Sequence, residues 1–566
     1  MKVAELAKRH YADISWLLLG VLIKTGLVFV GPLAVREMLR RADMPAPAKD
    51  GLALYVAVFA GSFFLLYAVN LLTTWLYLKF SFRFKVSVSK ELYDKVFRME
   101  YPAFQAKEAP YFVNRIKQFA DNAFSLMGDN LSSGIVSLLT VAASMVFIAS
   151  LGKGLLAMTL LLLPLSYFGY KLVNKELLRR SKALQHDCAD NFRKMISIVS
   201  NMQAVKQSAD YGHFTEAVGV HAAAVERQNN DVNLYARTVG LAMSFLIDLL
   251  KNGILLYSVY LLYRGLLPFA DVMFLNMIMS IYFGALSDIN RINLSLRDVH
   301  AGLDFVDREI MAFQEPSGGA ALGRIEKISV SVPRFSYDGG KEVLKDLSLE
   351  LSAGDRVAVV GGSGCGKSTL GRLLTRIYAA DGVSVNGRPL AEYSLASLRK
   401  RVYLVSQSSQ LFPGTIADNI RAGVTHWDRE RFAAVAALPF MRELAANGGL
   451  DQEIREGGGN ISGGQRQRIM MARLLMSDPD MIIFDESTSA LDGRSEESLL
   501  DSVEELCRGK IMLYVSHRLS TVKRAGRIVV MKDGRIASSG SFGELAEAGG
   551  EFNHIFASQL GGKENL

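Results

Sequence analysis

Cysteine is scarce: Cys188, Cys365 and Cys507 are the three in 566 residues. That excludes a disulfide framework, and their spacing fits no zinc site. A cleaved leader is not expected either. Lys2, Lys8, Arg9 and His10 precede an apolar run from Ile14 to about Val35, longer than the core of a signal peptide. Ala46-Pro47-Ala48 has the composition of a cleavage site but lies beyond Arg36, Arg40 and Arg41. The run is therefore expected to remain as a membrane span. Charge is thin over long stretches before residue 295, and the formal +8 is concentrated between them. That placement argues for a membrane partner and against nucleic acid. What is abundant is apolar: 50% of residues are hydrophobic and mean hydropathy is +0.19, high for a wholly soluble chain. The length calls for more than one domain.

A helix crossing ~30 Å of hydrocarbon needs about 20 mostly apolar residues. Six stretches qualify: 14–36, 52–80, 130–150, 154–173, 234–263 and 271–293. The segment after the second carries Lys79, Arg83, Lys85, Lys90, Lys95 and Arg98. The segment after the fourth carries Lys175, Arg179, Arg180, Lys182, Arg193 and Lys194. The loops at 151–153 and 264–270 are very short. This bias puts both termini and both long segments in the cytoplasm, where helices are expected to run on well below the bilayer. Ionisable residues inside spans cost ~2.5–3.5 kcal/mol each on insertion scales. Lys24 lies in span one. Asp248 and Lys251 lie midway along span five, three apart and so on one helical face, and Asp288 and Arg291 repeat the spacing on span six. Two readings stay open for Asp248 and Lys251: the polar wall of a substrate path, or a locally neutralised pair. Met273, Met277, Ile281 and Gly284 form a stripe on span six that fits helix packing or soft ligand contact.

Beyond Phe313 the pattern changes. Residues 314–323, with Glu315-Pro316-Ser317-Gly318-Gly319, read as a linker. Ile325, Ile328, Val330 and Val332 then alternate as strands do, followed by Phe335 and Tyr337. Strand Arg356–Val360 feeds Gly361-Gly362-Ser363-Gly364-Cys365-Gly366-Lys367-Ser368-Thr369 and an apolar helix. This is a phosphate loop in its strand–loop–helix context. Its glycines admit the phosphates to the backbone. Lys367 should reach the β- and γ-phosphates of ATP, and Ser368 should ligate Mg²⁺. Cys365 in this loop is either an ATP-protected reactive thiol or an inert small residue. Gln407 follows strand Val402–Val405 and precedes Phe412-Pro413-Gly414-Thr415-Ile416. Ile461-Ser462-Gly463-Gly464-Gln465 reads as a turn with free backbone N–H groups. Met481-Ile482-Ile483-Phe484 is a buried-strand run ending in Asp485-Glu486, Ser489-Ala490-Leu491-Asp492 follows, and strand Ile511–Val515 delivers Ser516-His517-Arg518-Leu519.

In that order these motifs resemble the nucleotide-binding domain of the ATP-binding cassette (ABC) family, and the six spans resemble its exporter-type membrane domain. The resemblance covers nearly the whole chain; it is specific in the second half and architectural in the first. It implies a multidomain membrane protein: an all-α six-span domain at 1–313, then an α/β P-loop NTPase of ABC type at 324–566. It implies that Tyr337 stacks on adenine, that Gln407 and Asp485 attend Mg²⁺, and that Glu486 is the general base. His517 is then a γ-phosphate contact. Ser462, Gly463, Gly464, Gln465 and Asp492 serve ATP in trans, in a second half-transporter, since a chain with one loop and one signature cannot close its own site. The segments that would dock on nucleotide-binding domains fall near Gln105–Arg115 and Gln207–Phe214, where Lys107-Glu108-Ala109-Pro110 replaces the usual glycine. Arg455 stands where the family more often has glycine, and Ile461 where it has leucine.

The expected activity is ATP-driven transport by alternating access in a homodimer or heterodimer, in a bacterial inner or cell membrane. The expected cargo is an amphipathic or polar-headed small molecule, lipid or peptide moving outward. An importer of a siderophore-like compound, a flippase of lipid or lipid-linked precursors, and an ATPase gating a membrane partner are the alternatives. No peptidase domain is seen before span one, so leader-peptide processing is not expected.

Overall fold

The computed structural model describes residues 8–42, 51–107, 109–208, 210–337, 339–406, 411–424, 427–445, 449–455, 458–486 and 493–560. These form two compact units. One holds the chain up to Phe97 and Glu108–Ala312; the other holds Arg98–Lys107 and everything from Phe313.

The first unit is helical. Its long elements are Tyr11–Ala42, Leu52–Phe97, Ala109–Phe124, Leu131–Leu151, Lys153–Ser200, Tyr211–Tyr263 and Phe269–Phe305. In lipid a helix satisfies every backbone group internally, which is why the apolar runs take this form. Among the described residues five helical segments are long and apolar enough to span a membrane. The expected span 154–173 lies on Lys153–Ser200, whose side chains are described only in part. A π-helical turn at Ser125–Asn130 joins Ala109–Phe124 to Leu131–Leu151. Near it Phe80, Phe84 and Phe124 pack edge to face or tilted, with centroids 5.4–6.0 Å apart. Lys85 lies over the Phe124 ring and pairs with Asp121 at 2.6 Å. Asp271, buried at the start of Phe269–Phe305, binds Arg36 at 2.6 Å and Arg40 at 3.0 Å.

Both expected docking segments straddle helix breaks. The first, Gln105–Arg115, begins where a five-residue helix, Tyr101–Gln105, ends, and includes the start of Ala109–Phe124. Pro102 accounts for the early start: it fits the first turn of a helix, where its missing N–H costs nothing. The second, Gln207–Phe214, spans the end of Met202–Ser208 and the start of Tyr211–Tyr263. There Asp210 caps the new helix by accepting from the His213 N–H at 3.1 Å.

The second unit is built on a six-stranded sheet. In spatial order its strands are Arg535–Gly540, Arg527–Lys532, Arg356–Gly361, Ile511–Val515, Met481–Asp485 and Val402–Ser406. All neighbours are parallel except the first pair. Parallel strands are covered on both faces, so they read as unbroken apolar runs; Val357–Val360 and Met481–Phe484 are buried throughout. A four-stranded sheet contains Lys327–Ser336 and Glu342–Ser352, paired antiparallel, with Ile328, Val330 and Val332 turned inward.

The stretch read as a linker is built into this unit. Glu315 accepts from Arg399 through both oxygens, at 2.6 and 2.9 Å. Gly319 sits at φ +100° with the Ser394 nitrogen 2.7 Å from where a Cβ would stand, so only glycine fits. Across the sheet, buried Glu504 accepts from Tyr514 at 2.8 Å and from Arg356 at 2.9 Å, and Arg524 lies 3.5 Å away. Burial first, and Glu504 beside it, push the Tyr514 phenol up. Glu504→Ala leaves these groups short of an acceptor. It should cost about 3 kcal/mol and lower the midpoint of this unit by roughly 6–12 °C in thermal unfolding of the full chain, with Glu504→Gln losing less.

Candidate functional site

Three neighbouring strands place their carboxyl ends together, the position where open parallel sheets bind ligands. Arg356–Gly361 runs into the phosphate loop, Met481–Asp485 ends beside Glu486, and Ile511–Val515 leads to His517. The helix Lys367–Leu374 starts directly from the loop. Gly366 precedes it at φ +103°, where a Cβ would stand 2.5 Å from Leu344, so glycine is required.

These elements surround a cavity of about 680 Å³. Tyr337, Gly361, Ser363, Gly364, Gly366, Lys367, Ser368, Thr369, Glu486 and His517 all line it, as do Val343 and Arg372. The Lys367 ammonium donates to the carbonyls of Gly361 and Gly362, 2.9 Å each, and lies 3.8 Å from Cys365 Sγ. It thus folds back over its own loop. Cys365 itself is buried. Ser368 Oγ donates to Asp485 Oδ1 at 3.0 Å. Burial pushes the Asp485 carboxyl above the ordinary carboxylate range; the Ser368 hydrogen bond opposes this and the Glu486 charge adds to it. Glu486 adopts φ +49°, a left-handed conformation rare outside glycine, held by its N–H to the Val515 carbonyl at 3.0 Å. Its Oε1 lies 3.0 Å from His517 Nδ1.

Tyr337 lies at the cavity edge. Its hydroxyl is 2.8 Å from Thr369 Oγ1 and 3.4 Å from an Arg372 N–H. Its ring meets Tyr378 edge-on at 4.8 Å and Phe335 at 5.2 Å. Arg372 escaped the sequence reading because it follows the loop motif by a turn; its helical spacing from Ser368 and Thr369 is the signal that could have found it.

Ser462 to Gln465 lie elsewhere. They are not a free turn but the start of helix Gly463–Ser477, closed by a capping box. Ser462 Oγ accepts from the Gln465 N–H at 3.1 Å, and Gln465 Oε1 accepts from the Ser462 N–H at 2.9 Å. A serine followed three residues later by glutamine is the usual sign of such a start, and it was legible. Ser462 and Gly463 are exposed, and none of the four lines the phosphate cavity. Gln407 and Asp492 lie outside the described residues.

A family model described as "ABC transporter transmembrane region" matches residues 16–286, and one described as "ABC transporter" matches residues 344–489. The chain belongs to the ABC transporter family. It is an exporter-type half-transporter, an integral membrane protein that binds ATP and couples its hydrolysis to export across the membrane. A protein of Novosphingobium aromaticivorans named "ATM1-type heavy metal exporter" is 28% identical over 442 residues, 76% of this chain and 72% of its own. The "ATP-dependent lipid A-core flippase" of Escherichia coli is 40% identical over 247 residues, 43% of this chain and 42% of its own. A solved structure, "a bacterial Atm1-family ABC exporter with ATP bound", superposes with a TM-score of 0.87 over 97% of this chain and 98% of its own. At 23% identity it shows the fold alone.

Proposed function

We propose that two half-transporters close two ATP sites between them, each built from the phosphate cavity of one chain and the Ser462–Gln465 helix start of the other. The carrying observation is the separation within one chain. Lys367, Ser368, Glu486 and His517 share a cavity, while Ser462 to Gln465 stand apart at the positive end of a 15-residue helix, with Ser462 and Gly463 exposed. A complete set of these residues fits a partner that is a copy of this chain.

In the closed site Tyr337 stacks on adenine and the phosphate-loop amides and Lys367 hold the phosphates. Lys367 must first leave the Gly361 and Gly362 carbonyls. Glu486 takes the proton of the attacking water, His517 contacts the γ-phosphate, and Gln407 and Asp492 complete the constellation. The Ser368 hydroxyl and Asp485 carboxylate are hard oxygen donors 3.0 Å apart, the ligand type Mg²⁺ takes. When bound, Mg²⁺ neutralises charge on the β- and γ-phosphates.

The membrane unit has six spans in this reading, with both termini and the nucleotide-binding unit in the cytoplasm of a bacterial cell. The apolar window of Leu52–Phe97 has no buried residue and that of Tyr211–Tyr263 only 6%, which leaves these helices lipid or a second copy to meet. The cargo is an amphipathic or polar-headed compound. The names of the relatives, a heavy-metal exporter and a lipid A-core flippase, fit a polar-headed cargo. The second name favours a lipid as the alternative. Inside-out vesicles carrying the protein should accumulate cargo only with ATP, and right-side-out vesicles should not. Accumulation in right-side-out vesicles with internal ATP would reverse the direction.

A further inference from the structure

Lys251 lies midway along the apolar half of helix Tyr211–Tyr263, in a setting where an ammonium needs a counter-charge. Among the described residues none reaches it. Asp248, one turn earlier, is exposed and forms no ion pair with it, so the two are not a neutralised couple. Asp271, on helix Phe269–Phe305, is already held by Arg36 and Arg40. Instead Lys251 Nζ donates to Ser280 Oγ at 3.0 Å. Ser280 in turn donates to the Asn276 carbonyl at 3.1 Å, so its oxygen is free to accept. An ammonium has three N–H donors, and this contact uses one.

Ser280 and Asn276 line a cavity of about 380 Å³ between helices Tyr11–Ala42, Leu52–Phe97 and Phe269–Phe305. Apart from Ser62, whose hydroxyl donates to the Phe59 carbonyl at 2.6 Å, its other walls are apolar, from Val28, Phe59, Phe63 and Met277 among others. A chamber of this size takes a small organic body, and a few placed polar groups at one edge fix its orientation. We propose that the cavity binds an amphipathic monoanion. Its apolar body fills the chamber, and its carboxylate, sulfonate or phosphate accepts from the remaining N–H groups of Lys251, which Ser280 holds at the chamber's edge. The assignment rests on the transporter reading and names the class of cargo for it. The anion supplies the charge that Lys251 lacks, and the ligand's apolar part meets Val28, Phe59, Phe63 and Met277.

Two dyes separate charge from shape: 8-anilinonaphthalene-1-sulfonate, and N-phenyl-1-naphthylamine, which has the same rings without the sulfonate. Binding is measured to the full chain in phosphatidylcholine nanodiscs, corrected against empty discs. Lys251→Met should weaken the sulfonate dye by about tenfold and leave the neutral dye within about twofold, with Lys251→Arg retaining both. Retained neutral-dye binding shows that the chamber is intact in each variant. Ser280→Ala should weaken the sulfonate dye in the same selective way by a smaller factor. Gly31→Leu should weaken both dyes, because a Cβ there is in ordinary contact with Phe59 at 3.8 Å and the added bulk fills the chamber. Anionic lipid in the discs that displaces the sulfonate dye assigns the site to a lipid; continued binding assigns it to a solute. Equal loss of both dyes in Lys251→Met, or sulfonate binding equal to wild type, overturns the anion site. A wild-type protein without ATP hydrolysis overturns the transporter reading instead, whatever the dyes do.

Discussion

Glu486→Gln should lower steady-state ATP hydrolysis by roughly 10²–10⁴-fold while ATP still binds. The substitution keeps size and hydrogen bonding but removes the carboxylate oxygen proposed to take a proton from water. In the structure that oxygen is 3.0 Å from His517 Nδ1 and its residue is held at φ +49°, so the carboxylate is fixed relative to the strand ends. The glutamine variant should therefore trap ATP in a closed dimer. Phosphate release and retained nucleotide, measured together, check it. Hydrolysis within a few-fold of wild type would remove Glu486 from the role of general base.

Ser462→Arg should stop hydrolysis in a dimer made only of the variant. The exposed helix start would carry a bulky side chain into the face proposed to meet a partner's nucleotide. The change also removes the cap that Ser462 gives the Gln465 N–H, worth about 1 kcal/mol. Ser462→Gly is the control, since it loses the hydroxyl without bulk and a glycine cap costs only a few tenths of a kcal/mol. The phosphate cavity of the arginine variant is untouched, so the isolated chain should still bind ATP. Unimpaired turnover in the pure variant would mean that a single chain closes its own site. Co-expressed with wild type, mixed dimers should keep one of their two sites.

Much of the nucleotide site was legible because its signals are local. Strand, glycine loop and helix lie within about twenty residues of each other around Lys367, and each apolar run names a strand buried on both faces. Bringing Asp485, Glu486 and His517 to that loop needed only the rule that parallel strands present their carboxyl ends together. The signals were weaker where meaning depends on distant partners. Spacing put Asp248 and Lys251 on one face, but a helical face says nothing about what stands opposite, and Lys251 turns to Ser280 on another helix. Pro102 opens a short helix, Tyr101–Gln105, that ends where the docking segment expected from the family resemblance begins. The glycines of 463–464 suggested a turn, whereas the serine–glutamine pair around them sets a helix start.

The ten residues Arg98–Lys107 are bound into the nucleotide-binding unit although more than two hundred residues separate them from it in the chain. The Glu100 N–H meets the Phe313 carbonyl and the Glu315 N–H meets the Arg98 carbonyl, 2.8 Å each. Tyr101 packs on Tyr378 at 6.1 Å, and Gln105 accepts from its hydroxyl at 3.0 Å. Tyr378 also touches Tyr337 at the mouth of the ATP cavity. A soluble fragment cut near Phe313 is therefore an incomplete object. It would lack the strip that covers Tyr378, leave two backbone carbonyl and amide partners to water, and loosen the ring beside Tyr337. ATP affinity measured on such a fragment would describe an engine from which a fitted part had been removed.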